Sequence, residues 1–134
     1  MSHNIVMNNV RIKDLDMLGR IAKEMSNGAA ILDKTAKTFR TERMLGGTGK
    51  CDAVIKMPGD LDIGLLLKNN AYSPVMGSMG METTFRAKGG HNKIGGLLRE
   101  YALQEAEYEA AQQGMSATRV EQANGTITLE LVEA

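Results

Sequence analysis

Two short stretches carry residue types that could hold an anion. The first is "MLGGTGKCD" at 44–52, where Gly46, Gly47 and Gly49 stand with Thr48 and Lys50. Glycine-rich turns expose backbone amides, and a lysine adds charge. A phosphate-cradling Walker loop also needs a glycine five residues before its Gly-Lys pair, then Ser or Thr for magnesium. With Gly49-Lys50 as the anchor, those positions hold Met44 and Cys51. The loop runs into an apolar, strand-like segment, whereas a bound phosphate is met by a helix N-terminus. The stretch therefore reads as a surface connection. The second stretch, "RAKGGHNKIGGLL" at 86–98, suits an anion better. Its glycines let backbone approach a ligand, a helix begins there, and cations stand beside it. Arg86, Lys88, Gly89, Gly90, His91 and Lys93 are the candidate residues for a nucleotide or other phosphate. The alternative is a plain loop whose cations complement the acidic helix that follows.

Catalytic sets are poorer. The two histidines, His3 and His91, are far apart in sequence. Cys51 and His91 could form a nucleophile–base pair, but Cys51 falls on an apolar strand face, where a thiol is buried and inert. Asp60 and Asp62 resemble paired carboxylates, yet a turn accounts for the first and strand alternation for the second. No catalytic set, metal cluster or cofactor motif emerges, so the expectation leans away from an enzyme. With one cysteine, an intrachain disulfide is impossible and the thiolates of a zinc site are missing.

The elements that must position these residues follow from periodicity. "IVMNNVRI" (5–12) reads as a strand. Asp14 caps a helix with Leu15, Leu18, Ile21, Ala22 and Met25 in one stripe, closed by "SNG" at 26–28. Residues 29–43 lean to strand around Ile31 and Leu32. "CDAVIKM" (51–57), "LDIGLLLK" (61–68) and "AYSPVMG" (71–77) form an antiparallel meander with turns at "PGD" and "NN", and Pro74 places the third strand at an edge. Residues 77–93 have no periodicity and read as a long, mobile loop. A second helix starts near Asn92, with Ile94, Leu97, Leu98, Tyr101 and Tyr108 as its stripe, Glu100, Glu105, Glu107 and Glu109 largely outside it, and Gly114 at its end. "TRVEQANGTITLELV" is a hairpin. A type I′ turn at Asn124-Gly125 sets Val120 opposite Leu129, Thr118 opposite Leu131, and Arg119 opposite Glu130. The prediction is one α+β domain over 1–134, ordered β-α-β-β-β-β-α-β-β, with two helices on one face of an antiparallel sheet.

Composition bounds the function. The 134 residues suffice for one core, and neither a leader nor an apolar run of membrane-spanning length is read in them. The expectation is a soluble, cytoplasmic protein. Net charge is zero, but residues 1–93 hold 14 Lys and Arg against 9 Asp and Glu, while 94–134 hold 2 against 7. A nucleic-acid module would be basic overall and rich in stacking aromatics; aromatic residues here are 4%. Ten methionines stand out, and Met76, Met79 and Met81 cluster in the long loop as a candidate interaction surface.

The opening "MSH", the strand into "IKDLDML", the later "REYALQEAEYEAAQQGMS" and the ending "NGTITLELV" together resemble a family of plastid, cyanobacterial and phage open reading frames, the "ycf thirty-five" type. The likeness covers the two ends, about half of the chain. It implies a small soluble protein with no catalytic residues to carry over, and a phage or cyanobacterial accessory role. Taken together, the expectation is a non-enzymatic module that acts through a protein partner or as a homo-oligomer, with anion binding at 86–93 as the alternative.

Overall fold

The computed structural model describes residues 3–5, 11–41, 47–57, 62–75 and 94–133. The fold is α+β with antiparallel strands, as expected. Its elements are β1 (His3–Ile5), α1 (Leu15–Met25), β2 (Ile31–Asp33), β3 (Thr38–Arg40), β4 (Thr48–Lys50), β5 (Ala53–Lys56), β6 (Ile63–Lys68), β7 (Ala71–Val75), α2 (Ile94–Gln112), β8 (Met115–Glu121) and β9 (Ile127–Glu133). Two strands exceed the expectation. The 29–43 segment makes both β2 and β3, and the glycine-rich stretch contributes β4. The strands form three hydrogen-bonded sheets, β1-β9-β8, β2-β5-β6-β7 and β3-β4. The chain divides into two compact units, a central one over Arg11–Leu97 and a terminal one made of Met1–Val10 and Leu98–Ala134.

In the central unit, α1 begins where Asp14 accepts a hydrogen bond from the Met17 N–H at 3.0 Å. It ends in a Schellman motif: the Gly28 N–H reaches Lys23 O, the Asn27 N–H reaches Glu24 O, and Asn27 takes φ 55°. Leu18, Ile21 and Ala22 are buried. The helix lies close on β2, so close that a Cβ on Gly19 would meet Leu32 Cδ2 at 2.8 Å. The meander β5-β6-β7 pairs Ile55 with Ile63 and Leu65 with Pro74. Edge strand β7 carries Pro74, and its Tyr72 exchanges two backbone hydrogen bonds with Ile12. Asn69 and Asn70, with φ 52° and 62°, link Lys68 to Ala71 across a two-residue type I′ turn. In β5 the alternation is masked, because Ala53, Val54 and Ile55 are all buried: Phe39 and Cys51 cover the Val54 side.

In the terminal unit, α2 covers the β8–β9 hairpin through Leu103, Ala106 and Ala110, against Leu129, Leu131, Met115, Ala117 and Ile127. This corrects the expected stripe. Tyr108 is 58% exposed, and Leu103 is buried instead. The hairpin register is also corrected by one residue: Arg119 opposes Leu129 and Thr118 opposes Glu130. The Gly125 N–H bonds to Gln122 O and the Gln122 N–H to Thr126 O, with only Gly125 of the turn at positive φ, 85°. That is a three-residue loop, a type I turn followed by a left-handed glycine. The extra loop residue slides every pair by one.

Candidate functional site

The glycine-rich stretch has a structural use. Thr48–Lys50 pair with Thr38–Arg40, placing Gly49 opposite Phe39. The Phe39 ring lies on Gly49 and on Gly64 of β6; a Cβ at either would meet ring carbons at 2.5 Å. Phe39, Cys51 and Val54 then form a small core with Ala36 and Val75 packed on it. The missing side chains make room for an aromatic ring, and the backbone at 48–50 is committed to a strand ladder. Residues 48–50 are therefore a strand, where the sequence alone predicts a surface connection.

The carboxylates resolve in the same direction. Asp62, 5% exposed, accepts hydrogen bonds from the Arg40 backbone N–H (3.1 Å), Arg40 Nε (2.9 Å), Arg40 Nη2 (2.6 Å) and the Met57 N–H (3.2 Å). Arg40 Nη2 also donates to Met57 O at 2.9 Å. Burial alone would raise the Asp62 carboxyl, but the Arg40 guanidinium and these backbone amides outweigh it and hold the group below the ordinary range. The pair clasps β3 to the ends of β5 and β6. Asp60, its expected companion, lies outside the described residues. Asp33 is used as a turn former: its carboxylate accepts from the Thr35 N–H and hydroxyl and the Ala36 N–H, and Lys56 Nζ stands 3.2 Å away. Those bonds hold it well below the usual carboxylate range.

Cys51 is buried, with Sγ 3.8 Å from Ala36 O, and burial pushes its thiol up. A thiol raised in this way is a poor nucleophile at neutral pH. His91, its proposed base, lies outside the described residues. So do the other residues of both sites named from the sequence: Arg86, Lys88, Gly89, Gly90 and Lys93 of the anion site, and Met76, Met79 and Met81 of the interaction surface. Helix α2 does begin at Ile94, directly after that basic segment.

One cluster was missed in the sequence. Arg119 of β8 donates to Glu100 Oε1 at 2.7 Å and to both carboxylate oxygens of Glu107, at 3.1 and 2.8 Å. The Glu100 and Glu107 hydrogen bonds raise the guanidinium further, and Arg119 in turn holds the Glu100 carboxyl below its ordinary value. The corrected register explains the arrangement. Arg119 shares the helix-covered face with Leu129, while Glu100 and Glu107 share the sheet-facing side of α2 with Leu103 and Ala110. Their spacing of three and seven residues was the available signal. The two glutamates hid it, because a purely apolar stripe excludes them.

Among the described residues, no group of three His, Cys, Asp or Glu is placed to hold a metal ion, and no helix is long and apolar enough to cross a membrane. These residues present outward both charge and, at Ile31, Leu67 and Tyr108, apolar surface. Glu109, Glu121, Glu130 and Glu133 are exposed in the terminal unit; in the central one Arg11, Lys13, Lys23, Lys37, Lys50 and Lys68 are exposed alongside Asp14, Asp16 and Glu24. No protein-family model, curated protein or solved structure matches this chain.

Proposed function

We propose that the chain is a non-enzymatic interaction module that acts through a protein partner or by self-association. The observation that supports this most is the division of charge between the two compact units. The terminal unit holds 2 Lys and Arg against 7 Asp and Glu, a net of −5; the central unit holds 14 against 9, a net of +5. A net excess of one sign on each unit steers association and helps fix the orientation of partners. The ionisable groups with chemical promise (Asp62, Asp33, Cys51 and the Arg119 cluster) are meanwhile occupied in holding strands and turns together. An accessory role of the kind that the "ycf thirty-five" resemblance implies agrees with such a surface.

The test is native mass spectrometry of the chain purified gently from its own cells, at low and high salt. The expected result is a mass above one chain that falls to a single 14.5 kDa chain as salt rises, because screening shortens from about 10 Å at 0.1 M to about 3 Å at 1 M. A single chain mass at every ionic strength would sink the proposal. A small retained ligand with no protein attached would replace it with the anion-binding reading of 86–93.

A further inference from the structure

The sheet edges of this protein are unequally guarded. Exposed edges invite added strands, and proteins blunt them with proline, lysine, bulges or brevity. Strands β1 and β2 have three residues each. Strand β7 carries Pro74, and Ile12 pairs with its outer side. Strand β8 differs. It runs seven residues from Met115 to Glu121 without proline, lysine or a break in its ladder to β9. It ends the sheet order β1-β9-β8, and among the described residues nothing pairs with its outer side.

The backbone of that edge is oriented to receive a strand. The Gln122 N–H bonds to Thr126 O directly opposite. In an antiparallel ladder such pairs alternate, so Val120, Thr118 and Ser116 bond toward β9. Met115, Ala117, Arg119 and Glu121 then turn their N–H and C=O groups outward. The one cation of β8 is no guard, since Arg119 is drawn onto the helix side by Glu100 and Glu107. Arg119 with these two carboxylates carries a net −1. Glu121 on β8 and Glu130 and Glu133 on β9 add exposed negative charge.

We propose that the outer edge of β8 receives an extended, lysine- or arginine-bearing segment of a partner protein as a further strand. This rests on the interaction-module reading and names the chemistry of its partner. Main-chain hydrogen bonds supply the attachment, as in strand addition generally, and the −5 unit selects a basic occupant. The same charge counts against a second copy, because pairing β8 with its counterpart would bring two −5 units together.

The probe is a fluorescent octapeptide alternating valine with lysine, titrated onto the full chain and followed by anisotropy. Binding should weaken at least tenfold between 0.05 and 0.5 M salt. It should vanish for the peptide with glutamate in place of lysine. It should also vanish for a peptide N-methylated at every residue, which keeps its charge and loses its strand donors on both edges. Ala117→Pro, which removes an outward N–H and no bond to β9, should abolish binding with far-UV circular dichroism unchanged. If that variant misfolds, the N-methylated peptide carries the decision. Equal binding of the methylated and plain peptides would overturn strand addition in favour of charge attraction alone. Covalent dimers of Thr118→Cys under mild oxidation, with none from Thr128→Cys, would overturn the basic partner in favour of self-pairing. No peptide binding, in a chain that still retains a protein from its own cells, would overturn the β8 site and leave the module reading intact.

Discussion

A carboxylate that is 5% exposed must be neutralised or be surrounded by donors. Asp62 is surrounded. Arg40, whose own side chain is 47% exposed, can return to water if Asp62 is removed, so the loss lies mainly in the amides of Met57 and Arg40 and in the clasp itself. Asp62→Asn should therefore cost about 1.5–3 kcal/mol, the range for hydrogen bonds to a charged group, read as a shift in urea midpoint. The pH dependence has a definite sign. The folded pKa is depressed, so the stabilisation is complete above the unfolded value of about 3.9 and is lost as pH falls through the folded value. As pH falls below about 4 the parent should lose stability faster than Asp62→Asn. Parallel acid profiles would show that Asp62 is not the linked group.

At the scale of elements, sequence patterns were legible where one signal acted alone. The Asp14 cap, the α1 stripe, the "SNG" stop, the meander and the edge position of Pro74 each rest on a local rule, and each appears in the fold. Patterns failed where two requirements shared a residue. Val54 belongs to a strand buried on both faces, so alternation under-reads it. Glu100 and Glu107 lie on the covered side of α2 because Arg119 meets them there, and no apolar count could include them. The hairpin turned on one backbone choice. Asn-Gly suits a type I′ turn, yet here that turn belongs to Asn69-Asn70, and Asn124 instead accepts from the Thr126 N–H at 3.0 Å with Gly125 alone left-handed. The stability of turn variants distinguishes the two geometries. Gly125→Ala should cost about 1–2 kcal/mol, the penalty of a left-handed residue with a Cβ. Asn124→Ala should cost about 0.5–1.5 kcal/mol, one ordinary hydrogen bond, and Asn124→Gly should restore nothing. A gain from Asn124→Gly would mean that position 124 also takes positive φ and that the type I′ register holds. The candidate residues within 77–93 had no periodicity in the sequence to place them.

For the whole molecule, the important quantity is the arrangement of charge, since the total vanishes. A chain of net charge zero and isoelectric point near 6.7 should pass both ion exchangers at neutral pH if its charges were evenly mixed. With −5 on one unit and +5 on the other, each resin meets a unit with a net excess of the opposite sign. At low ionic strength, where the Debye length reaches about 30 Å at 0.01 M, the protein should be retained on anion and cation exchangers alike. Glu121, Glu130 and Glu133 are all exposed. Changing the three to lysine takes the terminal unit from −5 to +1 while touching neither Arg119 nor its two carboxylates. The triple variant should lose anion-exchange retention and gain cation-exchange retention, with its circular dichroism and melting temperature little changed. Passage of the parent through both resins would mean that the two signs cancel within one chain, which removes the electrostatic basis for recruiting a partner. Retention on both, abolished on one side by the triple variant, would assign the anionic surface to the β8–β9 hairpin.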